Sequence, residues 1–186
     1  MDVSEGPNSN QVTFTFYHVG TTPMSITDIY FYDGVLGLSG TTFSGFIANP
    51  AWSDYDQSGV KFTVGAKPPE LPGANTLLPQ SKVVFSCESD TPISLAGINP
   101  GESLGIKFTL GDNKNINDVI LALNGWIRDG KFDSGDLVVG LHVQAINNTT
   151  SESFVVVPLP GSVLLLGSGL LGTALVYRRR RGKKAV

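Results

Sequence analysis

An all-β fold, an antiparallel β-sandwich with one short helix, followed by a single C-terminal transmembrane helix, is what this 186-residue sequence predicts. Three observations carry that reading. Short segments in which apolar and polar residues alternate with period two succeed one another from Gln11 onward, which is the pattern of half-buried strands. The 22 Gly and 11 Pro punctuate these segments too often for a helical protein. Finally, no charged residue occurs from Ser153 to Tyr177, and that run stops at four consecutive arginines, Arg178, Arg179, Arg180 and Arg181.

In chain order, Met1 to Gln11 is polar, with no basic start and apolar run of the kind a secretory signal carries. Gln11 to Val19 is the first expected strand, with Val12, Phe14 and Phe16 on one face and Thr13, Thr15 and Tyr17 on the other. Ser25 to Tyr32 is β-branched and aromatic, and Asp33-Gly34 breaks it with a turn-forming pair before Val35 to Leu38. Gly59 to Val64 reads as a further short strand, followed by an irregular loop at Pro68, Pro69 and Pro72-Gly73. Lys82 to Cys87 and Ser103 to Leu110 are the next strands, separated by Asn99-Pro100-Gly101. The expected helix is capped by Asn115, carries Asp118 in its first turn where the dipole favours an acid, and stops at Gly125. Val119, Ile120 and Leu123 give it an apolar side. Leu137 to Ile146 and Ser153 to Val157 close the set, and many short strands with so little helix argue for a sandwich.

The boundary falls at Val157, giving a domain of residues 1–156 and a tail of residues 157–186. All 16 acidic residues but only 7 Lys and Arg precede it, leaving the domain at −9. The six cations of the tail bring the chain to its net −3. An acidic domain gains nothing from bulk attraction to nucleic acid or to anionic polysaccharide, so no nucleic-acid partner is expected. In the tail, residues 161–177 hold six Leu among 17 residues, and at about 1.5 Å per residue they give roughly 26 Å of helix, the short edge of a bilayer span. Pro160 is tolerated only in the first turn, so the span starts at Gly161. The basic tail, 178–184, ends it. Arg178, Arg179, Arg180 and Arg181 form a cytoplasmic stop, because guanidinium groups do not enter hydrocarbon and basic flanks stay cytoplasmic. That orientation exports the domain, and the expectation is an export signal upstream of Met1. Ser168 and Gly172 form a small-xxx-small pair at which a second helix could approach.

The order of Val157-Pro158-Leu159-Pro160, a Leu/Gly-rich span and an arginine cluster resembles the PEP-CTERM sorting signal of exported proteins in many Gram-negative bacteria. Val157, Pro158 and Pro160 match that family's motif, while Leu159 stands where an acidic residue is usual. The resemblance implies an inner-membrane-anchored precursor, removal of the tail by an exosortase-type protease, and a final place at the cell surface or outside the cell. It also implies association with exopolysaccharide or biofilm. The runs at 99–106 and 140–144 are similar to ectodomains that carry the tag. A plain single-pass anchor is the simpler alternative for the same tail.

Chemistry is sparse. Trp52, Tyr55 and Trp126 are candidates for stacking on sugar rings, although aromatics in sandwiches are more often core. Asp129, Asp133 and Asp136 lie in one glycine-containing loop and are a weak calcium candidate; Lys131 breaks EF-hand spacing and a solvated turn is simpler. His18 and His142 sit in separate strands without a neighbouring carboxylate cluster, which makes a poor metal site. Ser58-Gly59-Val60-Lys61 fits Ser-x-x-Lys only by spacing, because it overlaps a strand and lacks a Lys-Thr-Gly partner. Asn147 to Thr150 holds two overlapping Asn-x-Thr sequons and reads as a turn. Cys87 is the single cysteine, so no internal disulfide forms, and a buried apolar role is expected. No cofactor, no metal and no enzyme activity are expected. A structural or adhesive component of the cell envelope or extracellular matrix is the leading function; a carbohydrate-binding module and a hydrolase are the alternatives.

Overall fold

A computed structural model describes residues 1–155 apart from 38, 75–77, 79–81, 130, 131 and 148, with 127 and 129 entering by their backbone only. The whole expected tail lies outside the described residues. That covers the sorting motif with Val157, Pro158 and Pro160, and the span at 161–177. It also covers the basic tail at 178–184, with the stop formed by Arg178, Arg179, Arg180 and Arg181. Among the described residues no helix is long and apolar enough to cross a membrane.

Among the described residues nine strands run β1 (Asp2–Glu5), β2 (Gln11–Tyr17), β3 (Ser25–Tyr32), β4 (Thr42–Asn49), β5 (Phe62–Val64), β6 (Val83–Ser89), β7 (Ser103–Thr109), β8 (Val138–Ile146) and β9 (Thr150–Val155). They form two antiparallel sheets, one in the order β1-β2-β7-β4 and the other β5-β6-β3-β8-β9. The alternation in β2 is realised as expected: Val12, Phe14 and Phe16 are buried while Thr13, Thr15 and Tyr17 face outward. Both inner faces contribute to one core holding Phe14 and Phe16 of β2, Phe108 of β7, Phe31 of β3 and Phe85 of β6. Phe31 is its centre, with ring centroids 4.9 Å from Phe14, 5.5 Å from Phe108, 5.9 Å from Phe85 and 6.1 Å from Phe16, all in edge-to-face geometry.

All eight residues of β3 are buried, so this strand has no solvent face. Ile29 and Phe31 point into the shared core, while Tyr30 and Tyr32 point the other way into a second cluster with Leu71, Ala74, Leu78 and Trp126. The two phenols pin the proline-rich loop over the sheet: Tyr30 Oη donates to Pro68 O at 2.9 Å, and Tyr32 Oη accepts from Leu71 N at 3.0 Å. Burying an apolar ring while satisfying its hydroxyl is what tyrosine does better than phenylalanine.

The structure departs from the sequence expectations in several places. Among the described residues two α-helices occur where one was expected, α1 (Ile93–Ala96) and α2 (Ile116–Asp129). A 3-10 turn at Gly34–Gly37 takes the place of the extended segment expected from Val35. That turn follows Asp33 and Gly34, both at positive φ (46° and 66°), and a Cβ at Gly34 would lie 2.7 Å from that of Leu137. The cap of α2 is as read: Asn115 Oδ1 accepts from Asn117 N at 2.8 Å and Asp118 Oδ2 accepts from Asn115 N at 3.0 Å. Gly125, however, does not end the helix, which runs on to Asp129. A Cβ there would collide with the Asp136 carboxylate, and Leu137 N donates to Ala122 O at 3.0 Å one turn earlier. The glycine therefore permits close approach of the segment leading into β8 to the helix, with no role as a stop. Ile120 is 42 % exposed, and the buried face of α2 is Val119, Ala122 and Trp126. Strand β4 escaped the pattern because a bulge between Phe43 and Gly45 puts Phe43 and Phe46, three residues apart, on the same inner face.

Phe31→Ala should destabilise the domain by about 3–5 kcal/mol, whereas Phe154→Ala, at a half-exposed edge position, should cost less than about 1 kcal/mol. Urea unfolding of the two variants against wild type measures the difference, and similar midpoints for both would contradict Phe31 as the centre of the core.

Candidate functional site

The expected sugar-stacking residues separate. Trp52 and Tyr55 share the exposed turn between β4 and β5, where Trp52 Nε1 donates to Asp54 Oδ1 at 2.8 Å and Tyr55 is 99 % exposed. Trp126 does not join them: it lies on the buried face of α2, 6 % exposed, inside the second core against Tyr30 and Tyr32. It is a packing residue, because a ring enclosed on both faces offers no surface to a ligand.

The acidic loop after α2 is used internally. Asp136 is buried beside Gly125 and its Oδ2 accepts from Asp133 N at 3.0 Å, closing a turn, while Asp133 is exposed. The side chain of Asp129 lies outside the described residues. Among the described residues no three His, Cys, Asp or Glu are placed to hold a metal ion. Ser58 and Lys61 turn to different acids, Ser58 Oγ donating to Asp56 at 2.7 Å and Lys61 pairing with Asp90 at 3.2 Å. Cys87 is buried in the shared core, and that burial pushes its thiol well above the usual range.

A row of polar side chains crosses all five strands of the second sheet on its outer face. The register aligns Thr63 with Glu88, Glu88 with Asp28, Asp28 with His142, and His142 with Ser153. No local pattern announces it, since each strand contributes one member and only the pairing joins them. Asp28, in the middle, is 6 % exposed. Burial raises its carboxyl; the Thr27 hydroxyl, donating at 2.7 Å, and the His142 charge oppose this, and Glu88 adds to it. His142 Nδ1 lies 3.1 Å from Ser153 Oγ, and a cleft of about 380 Å³ between them and the Leu71–Ala74 loop opens at this end of the row. Sequence reasoning missed Asp28, although one carboxylate in a strand otherwise free of charge and rich in aromatic and β-branched residues was the available signal.

His18 lies away from His142, just past the end of β2 in the other sheet, buried and with neither ring nitrogen bonded to a described protein atom. It forms part of the wall of a wider cleft of about 740 Å³ with Asp2, Thr15, Tyr17, Glu102 and Ser103. The Asp2 carboxylate beside it holds the Tyr17 phenol above its ordinary range. Glu102 Oε2 accepts from Asn99 N at 2.8 Å and from Asn99 Nδ2 at 3.1 Å, which fixes it at the rim.

Because the folded value of Asp28 is raised, its ionisation opposes folding: stability is lost as pH climbs from the ordinary carboxylate value near about 4 through the raised one. Asp28→Asn, which keeps an acceptor for Thr27, should therefore gain stability relative to wild type as pH rises through that window. Urea midpoints across the acid-to-neutral range check this, and parallel profiles for the two proteins would refute a buried, strained carboxylate.

Residues 156–181 match the family described as the PEP-CTERM protein-sorting motif, and the match takes in Val157, Pro158, Pro160 and the four arginines Arg178, Arg179, Arg180 and Arg181. No curated protein and no solved structure gives a significant match to the chain. The basic run, the uncharged span and the Val-Pro-x-Pro motif thus belong together, and the chain carries a PEP-CTERM protein-sorting motif, the mark of an exported protein that associates with the membrane at its carboxyl end and is processed by exosortase.

Proposed function

We propose that this chain is a structural or adhesive component of the cell envelope or extracellular matrix of a Gram-negative bacterium. Its β domain is held at the inner membrane as a precursor and passed on to the cell surface or medium after removal of the tail. There it works with exopolysaccharide in a biofilm, without catalysis of its own. The observation that carries this reading is the sorting motif at 156–181, placed directly after β9, which ends at Val155. The acidic balance of the residues before Val157 supports an unattached, soluble behaviour once the tail is gone, since like charge resists association. A carbohydrate-binding role is the second reading, favoured by Trp52 and the fully exposed Tyr55 on one turn.

The tail as signal and the tail as plain anchor differ in one respect. An anchor depends on total hydrophobicity and flanking charge, so Pro158→Ala with Pro160→Ala leaves it unchanged. A protease signal depends on extended backbone, which proline imposes on the residue before it. In a host with exosortase, wild type carrying an epitope in the exposed turn at Asn8 should appear as a shorter form. The double variant should accumulate at full length in the membrane, as should a chain lacking 178–184. Size and fractionation of the epitope read this out; if wild type and the proline variant both stay full length in the membrane, the proposal fails.

A further inference from the structure

The Tyr17 cleft has the composition of a sugar-binding surface. Tyr17 is 37 % exposed and stands on the outer face of the first sheet, next to Ser103 across β7 and diagonal to Asp2 across β1. Asp2 lines the same cleft and the rim carboxylate of Glu102 is fixed by Asn99, so an apolar ring face and two carboxylate acceptors are presented together. Fixing polar groups before a ligand arrives removes the ordering cost of binding. Thr15, Thr21 and Ser103 add hydroxyls along the same cleft. At its wall His18 is buried with both ring nitrogens lacking a partner among the described residues.

The register extends this end of the sheet toward the exposed aromatics. Tyr17, Ser103 and Asn49 lie in one row across β2, β7 and β4, and Trp52 follows Asn49 by three residues. Adjacent strands are about 4.8 Å apart, so the row spans roughly 10 Å, the scale of two sugar rings. The carboxylates in the cleft and the −9 of the residues before Val157 repel uronates and sulfated sugars.

We infer that this end of the first sheet, with Tyr17 as stacking platform and Asp2 and Glu102 as hydroxyl acceptors, binds a neutral polysaccharide chain. The inference rests on the reading that the domain meets extracellular polymer, but its test needs no processing. Full-length protein in detergent micelles is titrated by calorimetry with cellohexaose, xylohexaose, mannohexaose and chitohexaose, and with hexagalacturonate as the anionic comparison. At least one neutral oligosaccharide should bind with a submillimolar Kd, and hexagalacturonate should bind more weakly or not at all. Tyr17→Ala should weaken binding on the order of tenfold, while Tyr17→Phe, which keeps the ring, should retain it. Asp2→Asn, on the exposed edge strand β1, should also weaken it and stands in if Tyr17→Ala loses its cooperative thermal transition. The inference is overturned if no neutral oligosaccharide binds, if a folded Tyr17→Ala or Asp2→Asn binds like wild type, or if hexagalacturonate binds as tightly. A failure here leaves the sorting experiment untouched, and a full-length chain that escapes exosortase is still able to bind.

Discussion

Strand β3 is buried on both faces, and the placement of nearly every other described element follows from that. Its inward side, Ile29 and Phe31, meets the first sheet, which must then supply Phe14, Phe16 and Phe108 at matching depth. Its outward side, Tyr30 and Tyr32, needs a cover, which the loop over Leu71 and the Trp126 face of α2 provide. A strand in an antiparallel sheet commonly leaves one face to water. Here the second cover lets eight of the ten phenylalanines join one core while both tyrosines keep a backbone partner. Protein interiors are close-packed and leave little room for added volume, which is why Gly125 and Gly34 matter where they meet Asp136 and Leu137.

The same strand carries the least comfortable group in the molecule. Asp28 shares the outward face with Tyr30 and Tyr32 and is itself buried, opposite Glu88 and His142. Burial of a carboxylate beside a second acid is unfavourable, and only the Thr27 hydroxyl and the His142 charge relieve it. The outer face of the second sheet is thus divided, with an apolar covered half and a half crossed by polar side chains. The first sheet differs: Thr13, Thr15 and Tyr17 share its outer face with Ser103, Lys107 and the half-exposed Ile47.

Delivery and recognition reside in different kinds of signal. The charge, the apolar length and the prolines of the tail are features of a linear segment. Those properties exist in the chain before it folds. Recognition by a folded surface is of another order, because Asp2, Tyr17 and Glu102 are distant in sequence and meet only through the β1-β2-β7 ladder.

Local periodicity was enough to locate β2, β3, β6, β7 and β8, because one buried face imposes a period of two on its own strand. The capped start of α2 and the sorting motif matched at 156–181 were equally legible, since both depend on neighbours within a few residues. Strand β4 was not, because a bulge breaks the period, and the end of α2 was not, because Gly125 answers to Asp136 and not to the helix itself. Nor did Trp126 reveal in sequence whether it faced solvent or the tyrosines of β3. The strand order, the row from Thr63 to Ser153 and the Tyr17 cleft were decided only by tertiary structure. Alternation tells a strand which of its faces is buried but carries no label for its partner, so residues joined across ladders leave no local trace.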